Sequence, residues 1–202
     1  MTANAFDPAL LADDCCLVLD SGESEQLPVS RWHGEPDVAD ALMLDRCLGP
    51  TLDIGCGPGR MTRALVARGT ASIGIDNSCV AARMTADRGG LVLLRSVFER
   101  VPGEGSWRHV LLADGNVGIG GDPVRLFCRV HELLAHGGSA VVELRPPGTG
   151  VRCGQGRIRG GARFRWANVG IDAIDALAGS TGFLTGWTAH LGERWFAELI
   201  RT

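Results

Sequence analysis

The segment at residues 51–60 constrains the fold of this chain more than any other. It reads Thr-Leu-Asp-Ile-Gly-Cys-Gly-Pro-Gly-Arg, so glycine occupies every second position from Gly55 to Gly59, directly after a short apolar run. Glycine adopts positive φ at little cost, and it lets the backbone approach a ligand where a Cβ would collide. We therefore predict a strand over residues 51–54, a ligand-binding turn, and a helix over residues 60–67 that ends at Gly69.

A second acidic residue predicts what this turn binds. Residues 71–75 form the next predicted strand, and Asp76 follows it. A carboxylate at this strand end is placed to accept hydrogen bonds from the vicinal hydroxyls of a ribose. Dinucleotide folds carry G-x-G-x-x-G, which this segment lacks, and Asp53 would repel a pyrophosphate while suiting a ligand with a positive centre. The pattern predicts a ligand of the adenosine type.

Strand and helix patterns alternate along the rest of the chain. Residues 1–30 are polar and acidic, and Asp122-Pro123 is a strong helix start. Alternation of this kind favours an α/β fold with a doubly wound, mostly parallel sheet. The remaining predicted elements are helices over 36–47, 78–88, from 123 to a stop at Gly137-Gly138, and 169–178, with strands over 91–94, 109–113, 139–144, 183–191 and 195–200.

The motif Asp53-x-Gly55-x-Gly57-x-Gly59, with Asp76 after the second strand, resembles the first motif of class I S-adenosylmethionine-dependent methyltransferases. The order of elements over residues 36–202 resembles that family as well. The resemblance implies one methyltransferase-like domain over residues 36–202, with a seven-stranded sheet, helices on both faces and an antiparallel C-terminal strand. It also implies that residues 1–35 are an N-terminal segment in the place of the family's lid.

The resemblance implies S-adenosylmethionine as the cofactor and assigns residues to it. Two positions depart from the family: Ser96 stands where an acid often reads the adenine amino group, and Asn77 stands where an apolar residue is frequent. Adenine would then be held mainly by backbone groups and by Val97 and Phe98. The implied cofactor-binding residues are Asp53, Gly55, Cys56, Gly57, Gly59, Asp76, Asn77, Ser96, Val97, Phe98, Ala113 and Asp114.

Three segments are candidates for the acceptor side. Asp114 and Asn116 follow the fourth strand, although such residues can also bond only their own backbone in a turn. Trp32 and His33 precede the first motif; Trp32 could cover the acceptor, and His33, like Asp114, is a candidate catalytic residue, with the alternative that His33 only packs. Residues 145–168 hold six arginines and no acid, which predicts either a clamp for an anionic acceptor or a solvated loop, with Arg165 and Trp166 as the expected acceptor contacts.

Composition narrows the partners and leaves two alternatives. A net charge of −3 gives no reason to expect nucleic acid or an anionic membrane, and no run of 18 apolar residues is present. The seven scattered cysteines indicate buried thiols in a reducing cytoplasm, and neither they nor the five histidines predict a metal site. We expect a cytoplasmic methyltransferase acting on a small-molecule acceptor. An NAD(P)-dependent oxidoreductase and a catalytically silent methyltransferase-like binding protein remain the alternatives.

Overall fold

A computed structural model describes residues 4–158 and 161–202 of the chain. Arg159, one of the six arginines of the 145–168 segment, lies outside the described residues. The helices are α1 (Asp7–Leu10), α2 (Val29–His33), α3 (Val38–Leu44), α4 (Arg60–Ala67), α5 (Cys79–Asp87), α6 (Pro123–Leu133) and α7 (Ile174–Ser180). The strands are β1 (Cys15–Leu19), β2 (Ser24–Leu27), β3 (Thr51–Ile54), β4 (Ser72–Asp76), β5 (Val92–Leu94), β6 (Trp107–Leu112), β7 (Leu134–Leu144), β8 (Val151–Ile158), β9 (Phe164–Val169), β10 (Phe183–Leu191) and β11 (Arg194–Arg201).

Seven strands form the main sheet, in the order β10-β11-β7-β6-β3-β4-β5. The pairs from β7 to β5 are parallel, whereas β11 is antiparallel to both β7 and β10. This confirms the predicted α/β fold with an antiparallel C-terminal strand. The chain passes from β3 outward to β4 and β5 and then returns to β6 on the other side of β3. Ligands in open α/β sheets bind at such a switch point, outside the carboxyl ends of the strands.

Both faces of the main sheet are covered, which explains why its central strands read as continuous apolar runs. Val110 and Leu112 of β6 pack with α6 and α7 on one face, and Leu111 between them packs with α3 and α4 on the other. The ring of Phe127 from α6 lies 6.1 Å from that of Phe183 in an edge-on arrangement. The core is therefore split by the sheet, and β3 is held rigidly between its two halves.

Two helix predictions differ from the structure. The helix from residue 123 ends at Leu133 and not at Gly137-Gly138, because β7 begins immediately at Leu134 and takes both glycines into the strand. The helix predicted over 169–178 begins at Ile174, after β9 and a short 3₁₀ turn. Pairing with neighbouring strands, which local propensity does not report, decides both boundaries.

A second sheet, of four antiparallel strands in the order β2-β1-β8-β9, was not predicted. It joins the N-terminal segment to residues 151–169, so the segment predicted as a clamp or solvated loop is largely a β-hairpin. The acids and arginines of the two segments are complementary: Arg152 lies 3.5 Å from Glu23 and Arg163 lies 3.5 Å from Asp20. Exposed pairs of this kind contribute at most about 1 kcal/mol each. Burial of Leu17 and the other apolar residues of one face is the larger stabilising effect.

Within the described ranges, none of the helices combines the length and apolar character needed to span a bilayer.

Candidate active site

The glycine turn after β3 has the backbone that its sequence predicted. Gly55, Gly57 and Gly59 all have positive φ, at 68°, 54° and 84°. A Cβ on Gly55 would lie 2.7 Å from Nδ2 of Asn116, whereas a Cβ on Gly57 would meet no atom within 4 Å. Gly55 is therefore required for close packing. Gly57 lines a cavity, and the absence of a side chain there leaves open space at the cavity wall.

Asp76, at the end of β4, is bonded to this turn. One carboxylate oxygen accepts a hydrogen bond of 3.0 Å from the backbone N–H of Gly57, and the other accepts one of 2.8 Å from the N–H of Ser78. These hydrogen bonds lower the pKa of Asp76. Burial has the larger effect and raises the pKa above its ordinary value. A carboxylate has about four acceptor positions. The hydrogen bonds from the backbone of Gly57, Ser78 and Asn77 therefore leave the carboxylate with capacity for a further hydroxyl.

Asp53 and Cys56 are buried beneath the turn. Asp53 accepts a hydrogen bond of 2.6 Å from the Thr62 hydroxyl, and burial raises its pKa to about 7, helped by the negative charges of Asp114 and Asp76. Burial likewise raises the pKa of Cys56 well above its ordinary value, so its thiol is neutral at pH 7. Asp53 is thus an acid that a bound positive charge would favour in its ionised form.

Asp114 follows β6. Among the residues that the structure describes, it is the one non-glycine residue with positive φ, at 53°. Its carboxylate accepts bonds of 2.6 Å from both Arg31 and Arg60, and its backbone N–H donates to Glu143 at 2.8 Å. Arg60 also binds the buried carboxylate of Asp40. With two guanidinium groups on it, Asp114 is an anchor between α2 and α4. It is poorly placed to take a proton from an acceptor.

A cavity of about 600 Å³ opens at the carboxyl ends of β3, β4 and β6, where the order of strands reverses. Its size is typical of small-molecule sites, roughly 300–1,000 Å³. The second sheet and α1 lie over it, so this cavity is roofed by the N-terminal segment and the β8–β9 hairpin. The predicted residues that line it are Asp53, Gly55, Cys56, Gly57, Asp76, Asn77, Ser96, Val97, Ala113, Asp114, Asn116, Trp32, Arg165 and Trp166.

Three predicted site residues lie outside the lining of this cavity. Gly59 caps α4 and packs so closely on Thr85 that a Cβ would lie 2.8 Å from it. The Phe98 ring packs under the guanidinium of Arg125, 4.3 Å away. Nε2 of His33 lies 3.1 Å from the carbonyl oxygen of Leu10, which places the imidazole against α1. The structure therefore does not bring His33 to the other candidate residues.

The part of the cavity away from Asp76 joins a polar floor to an aromatic roof. Asn116 donates bonds of 2.9 Å from its amide to the carbonyls of Ile54 and Gly55, so it fixes the loop after β6 to the glycine turn. In the roof, the ring of Phe6 lies 5.0 Å from that of Phe164 and 5.3 Å from that of Trp166. These contacts make a largely apolar chamber that opens toward the turn.

Several lining residues were missed by the sequence reasoning. Arg60 lines the cavity, and Arg31 reaches Asp114 from α2, yet neither shows a local pattern that predicts this role. Glu25 also lines the cavity, and it forms an ion pair across the roof with Arg145, one of the six arginines of the predicted clamp. The contrast between an acidic N-terminal stretch and an arginine-rich stretch near residue 150 was the one available signal. Charge complementarity would have paired them.

No family model matches this sequence, and no curated protein matches it either. Solved structures do match. The chain is 19% identical to a SAM-dependent methyltransferase from Bacteroides fragilis in complex with S-adenosyl-L-homocysteine, with a TM-score of 0.79 over 98% of this chain and 92% of that one.

Two further structures share the fold at lower identity. The 1,6-didemethyltoxoflavin-N1-methyltransferase of Burkholderia thailandensis is 16% identical, with a TM-score of 0.60 over 76% of this chain and 71% of that one. The magnesium protoporphyrin IX methyltransferase of Synechocystis is 14% identical, with a TM-score of 0.60 over 85% and 88%. The chain therefore has the class I fold of S-adenosylmethionine-dependent methyltransferases.

Proposed function

We propose that this chain is an S-adenosylmethionine-dependent methyltransferase that acts on a small-molecule acceptor. The observation that carries the proposal is the meeting, in one cavity, of the glycine turn, the Asp76 carboxylate and an apolar chamber. The structures of the same fold that hold S-adenosylmethionine or S-adenosylhomocysteine support this choice of cofactor. A location in the cytoplasm stays a prediction.

The residues around the turn fit such a cofactor. Asp76 keeps acceptor capacity for a ribose hydroxyl. The open space beside Gly57 admits the amino-acid part against the backbone, and Ser96 and Val97 line the side left for adenine. The buried Asp53 would favour a ligand that carries positive charge.

The bound cofactor supplies a methyl group on a positively charged sulfur, and the protein supplies alignment. The roof would hold the acceptor against the floor at Asn116 and exclude water from the chamber. Alignment of two reactants in this way can lower a barrier by roughly 7–11 kcal/mol. A general base is needed only where the acceptor must lose a proton. The ion pairs on Asp114 and the contact of His33 with the carbonyl of Leu10 are arguments against either residue as this base.

Two neighbours of the same fold act on small molecules, a toxoflavin precursor and magnesium protoporphyrin IX, which supports an acceptor of that class here. An oxidoreductase using NAD(P) is disfavoured by Asp53 and by the glycine spacing. A silent binding protein would share the whole cofactor half of the site. It is distinguished only by a turnover assay.

Titration calorimetry with S-adenosylmethionine, S-adenosylhomocysteine and NAD tests the cofactor. We expect both sulfur compounds to bind, NAD not to bind, and Asp76→Ala to weaken binding by 10-fold or more. Asp87→Ala, at an exposed acid at the end of α5 and outside the cavity lining, is the matched control. Tight binding of NAD alone would overturn the proposal.

A second assay separates an enzyme from a silent binding protein. Incubation with S-adenosylmethionine tritiated on the methyl group and a small-molecule extract should transfer label to an extract component. Binding without transfer, across extracts and pH values, would favour the silent protein.

A further inference from the structure

The roof side of the cavity carries an ion pair between Glu25 on β2 and Arg145 after β7, next to aromatic and aliphatic side chains. Glu25 lies opposite Leu17 in the small sheet, and Leu17 lies opposite Ile158. Residues opposite one another share a face of a sheet. Glu25 therefore belongs to the inner, apolar face, the same face that buries Leu17 and Ile158.

Both members of the pair keep unused hydrogen-bonding atoms. Arg145 uses Nη2 for Oε1 of Glu25 and Nε for the side-chain oxygen of Asn168, at 3.4 Å. Among the described residues, its Nη1 and Oε2 of Glu25 have no hydrogen-bond partner. Their side chains are only 34% and 26% exposed, and both residues line the cavity, so the pair offers one unpaired donor and one unpaired acceptor there.

This arrangement discriminates by charge. A carboxylate or phosphate at the pair would be attracted by Arg145 and repelled by Glu25. An ammonium group would be attracted by Glu25 and repelled by Arg145. A neutral edge that carries an N–H beside a C=O satisfies both atoms at once, since the N–H donates to Glu25 and the C=O accepts from Arg145. Sites gain specificity from groups left unpaired by the wrong ligand.

The remaining walls fit a flat ring. Phe6, Phe164 and Trp166 form a cluster with ring centroids 5.0–6.1 Å apart. Trp32, on α2, lines the same cavity. Aromatic walls favour planar aromatic ligands through offset and edge-on contacts.

We propose that the acceptor is a neutral planar aromatic compound with a lactam-type edge, an N–H beside a C=O, and that Glu25 and Arg145 recognise this edge. The inference rests on the proposed function for the identity of the chamber as the acceptor site. It assigns Glu25 and Arg145 to specificity and gives neither of them a chemical step.

Three probes of the same ring size test the proposal: 2-quinolone, which has the lactam edge, quinoline, which lacks it, and quinoline-2-carboxylate, which is an anion. Binding is followed by tryptophan fluorescence and calorimetry, with the protein alone and with S-adenosylhomocysteine. We expect 2-quinolone to bind about 10-fold or more tightly than either other probe, as hydrogen bonds to charged groups allow.

Substitutions at the pair identify its role. Glu25→Leu should abolish the preference for 2-quinolone over quinoline without changing S-adenosylhomocysteine affinity. Glu25→Gln keeps the size of the side chain and removes the repulsion, so it should strengthen binding of quinoline-2-carboxylate. Glu23→Leu removes the exposed pair with Arg152 outside the cavity lining and should change none of these affinities.

The outcomes separate this proposal from the proposed function. Equal or undetectable binding of 2-quinolone and quinoline by the wild-type protein overturns the lactam edge, as does a preference that survives Glu25→Leu. Tightest binding of the carboxylate probe overturns it in favour of an anionic acceptor held by the exposed Arg165. Failure of S-adenosylhomocysteine to bind contradicts the cofactor, while the titrations of the protein alone still decide the lactam edge.

Discussion

Asp114 and Arg60 form an ion pair of 2.6 Å that joins the end of β6 to the first turn of α4. Arg31 binds the other oxygen of the same carboxylate from α2, so one side chain connects the N-terminal segment to the cofactor side of the cavity. The guanidinium of Arg60 is almost fully buried. Removal of the Asp114 carboxylate would leave the buried Arg60 paired with Asp40 alone, which makes this pair sensitive to substitution.

Asp114→Asn should lower the free energy of unfolding by about 1.5–3 kcal/mol, because it removes the charge from the bonds to two guanidinium groups, although Arg60 keeps the carboxylate of Asp40. Asparagine tolerates positive φ, so the backbone is retained and the effect of charge is isolated. Urea titration followed by circular dichroism measures the change. Arg68→Ala removes the exposed pair with Asp45 and should cost less than about 1 kcal/mol. An equal loss in both variants would contradict this role of Asp114.

Gly55→Ala should destabilise the protein and weaken S-adenosylhomocysteine binding, because it adds a Cβ 2.7 Å from Nδ2 of Asn116 to the cost of positive φ. Gly69→Ala is the matched control, since Gly69 also has positive φ (79°) but would meet nothing within 4 Å. We expect about 1–2 kcal/mol from the backbone in both variants. A further loss of about 1–3 kcal/mol from overpacking is expected in Gly55→Ala alone. Equal unfolding midpoints for Gly55→Ala and Gly69→Ala would show that the loop at Asn116 moves to accommodate the added Cβ without loss of stability.

The raised pKa of Asp53, about 7, predicts a specific dependence of stability on pH. The unfolded carboxyl releases its proton near pH 4 and the folded one near pH 7, so the native state holds more protons between these values. The contribution of Asp53 to the free energy of unfolding therefore falls as pH rises from about 4 to about 7, and it stays constant above about pH 7. The loss amounts to a few kcal/mol, at about 1.4 kcal/mol per pKa unit.

Asp53→Asn lacks the titrating group. Its stability relative to the wild-type protein should rise steadily from pH 4 to pH 7 and then stay constant, as measured by urea titration at each pH. A difference that does not vary with pH would show that Asp53 is ionised throughout this range.

Arg31→Ala tests whether the N-terminal segment acts as a lid. Loss of the bond to Asp114 should speed hydrogen exchange at the amide of Trp32, which bonds the carbonyl of Pro28 at 3.1 Å. S-adenosylhomocysteine should slow exchange in residues 28–36 of the wild-type protein and slow it less in the variant. Exchange that is unaffected by ligand in both proteins would argue for a fixed roof. Arg68→Ala serves as the control here too.

Agreement between sequence and structure is closest where local signals and tertiary contacts coincide. β3 and α4 have the predicted bounds, because the glycine turn separates an apolar run from a helical stripe. Agreement is poorest over residues 145–168, where glycine and arginine suggest a loop. The strands there pair with each other, and β8 also pairs with β1, more than a hundred residues earlier.

The amino-acid sequence by itself determined the α/β fold, the glycine turn with Asp53 and Asp76, and hence the predicted class of cofactor, since periodicity and turn chemistry act over short stretches of chain. Only the tertiary structure decided the composition of the acceptor chamber. Its roof joins α1, β1 and β2 to Arg145 and β9, and the ion pairs of Glu25 with Arg145 and of Arg31 with Asp114 join residues far apart in sequence. Contacts of this kind depend on how strands pair in space, which no local pattern encodes.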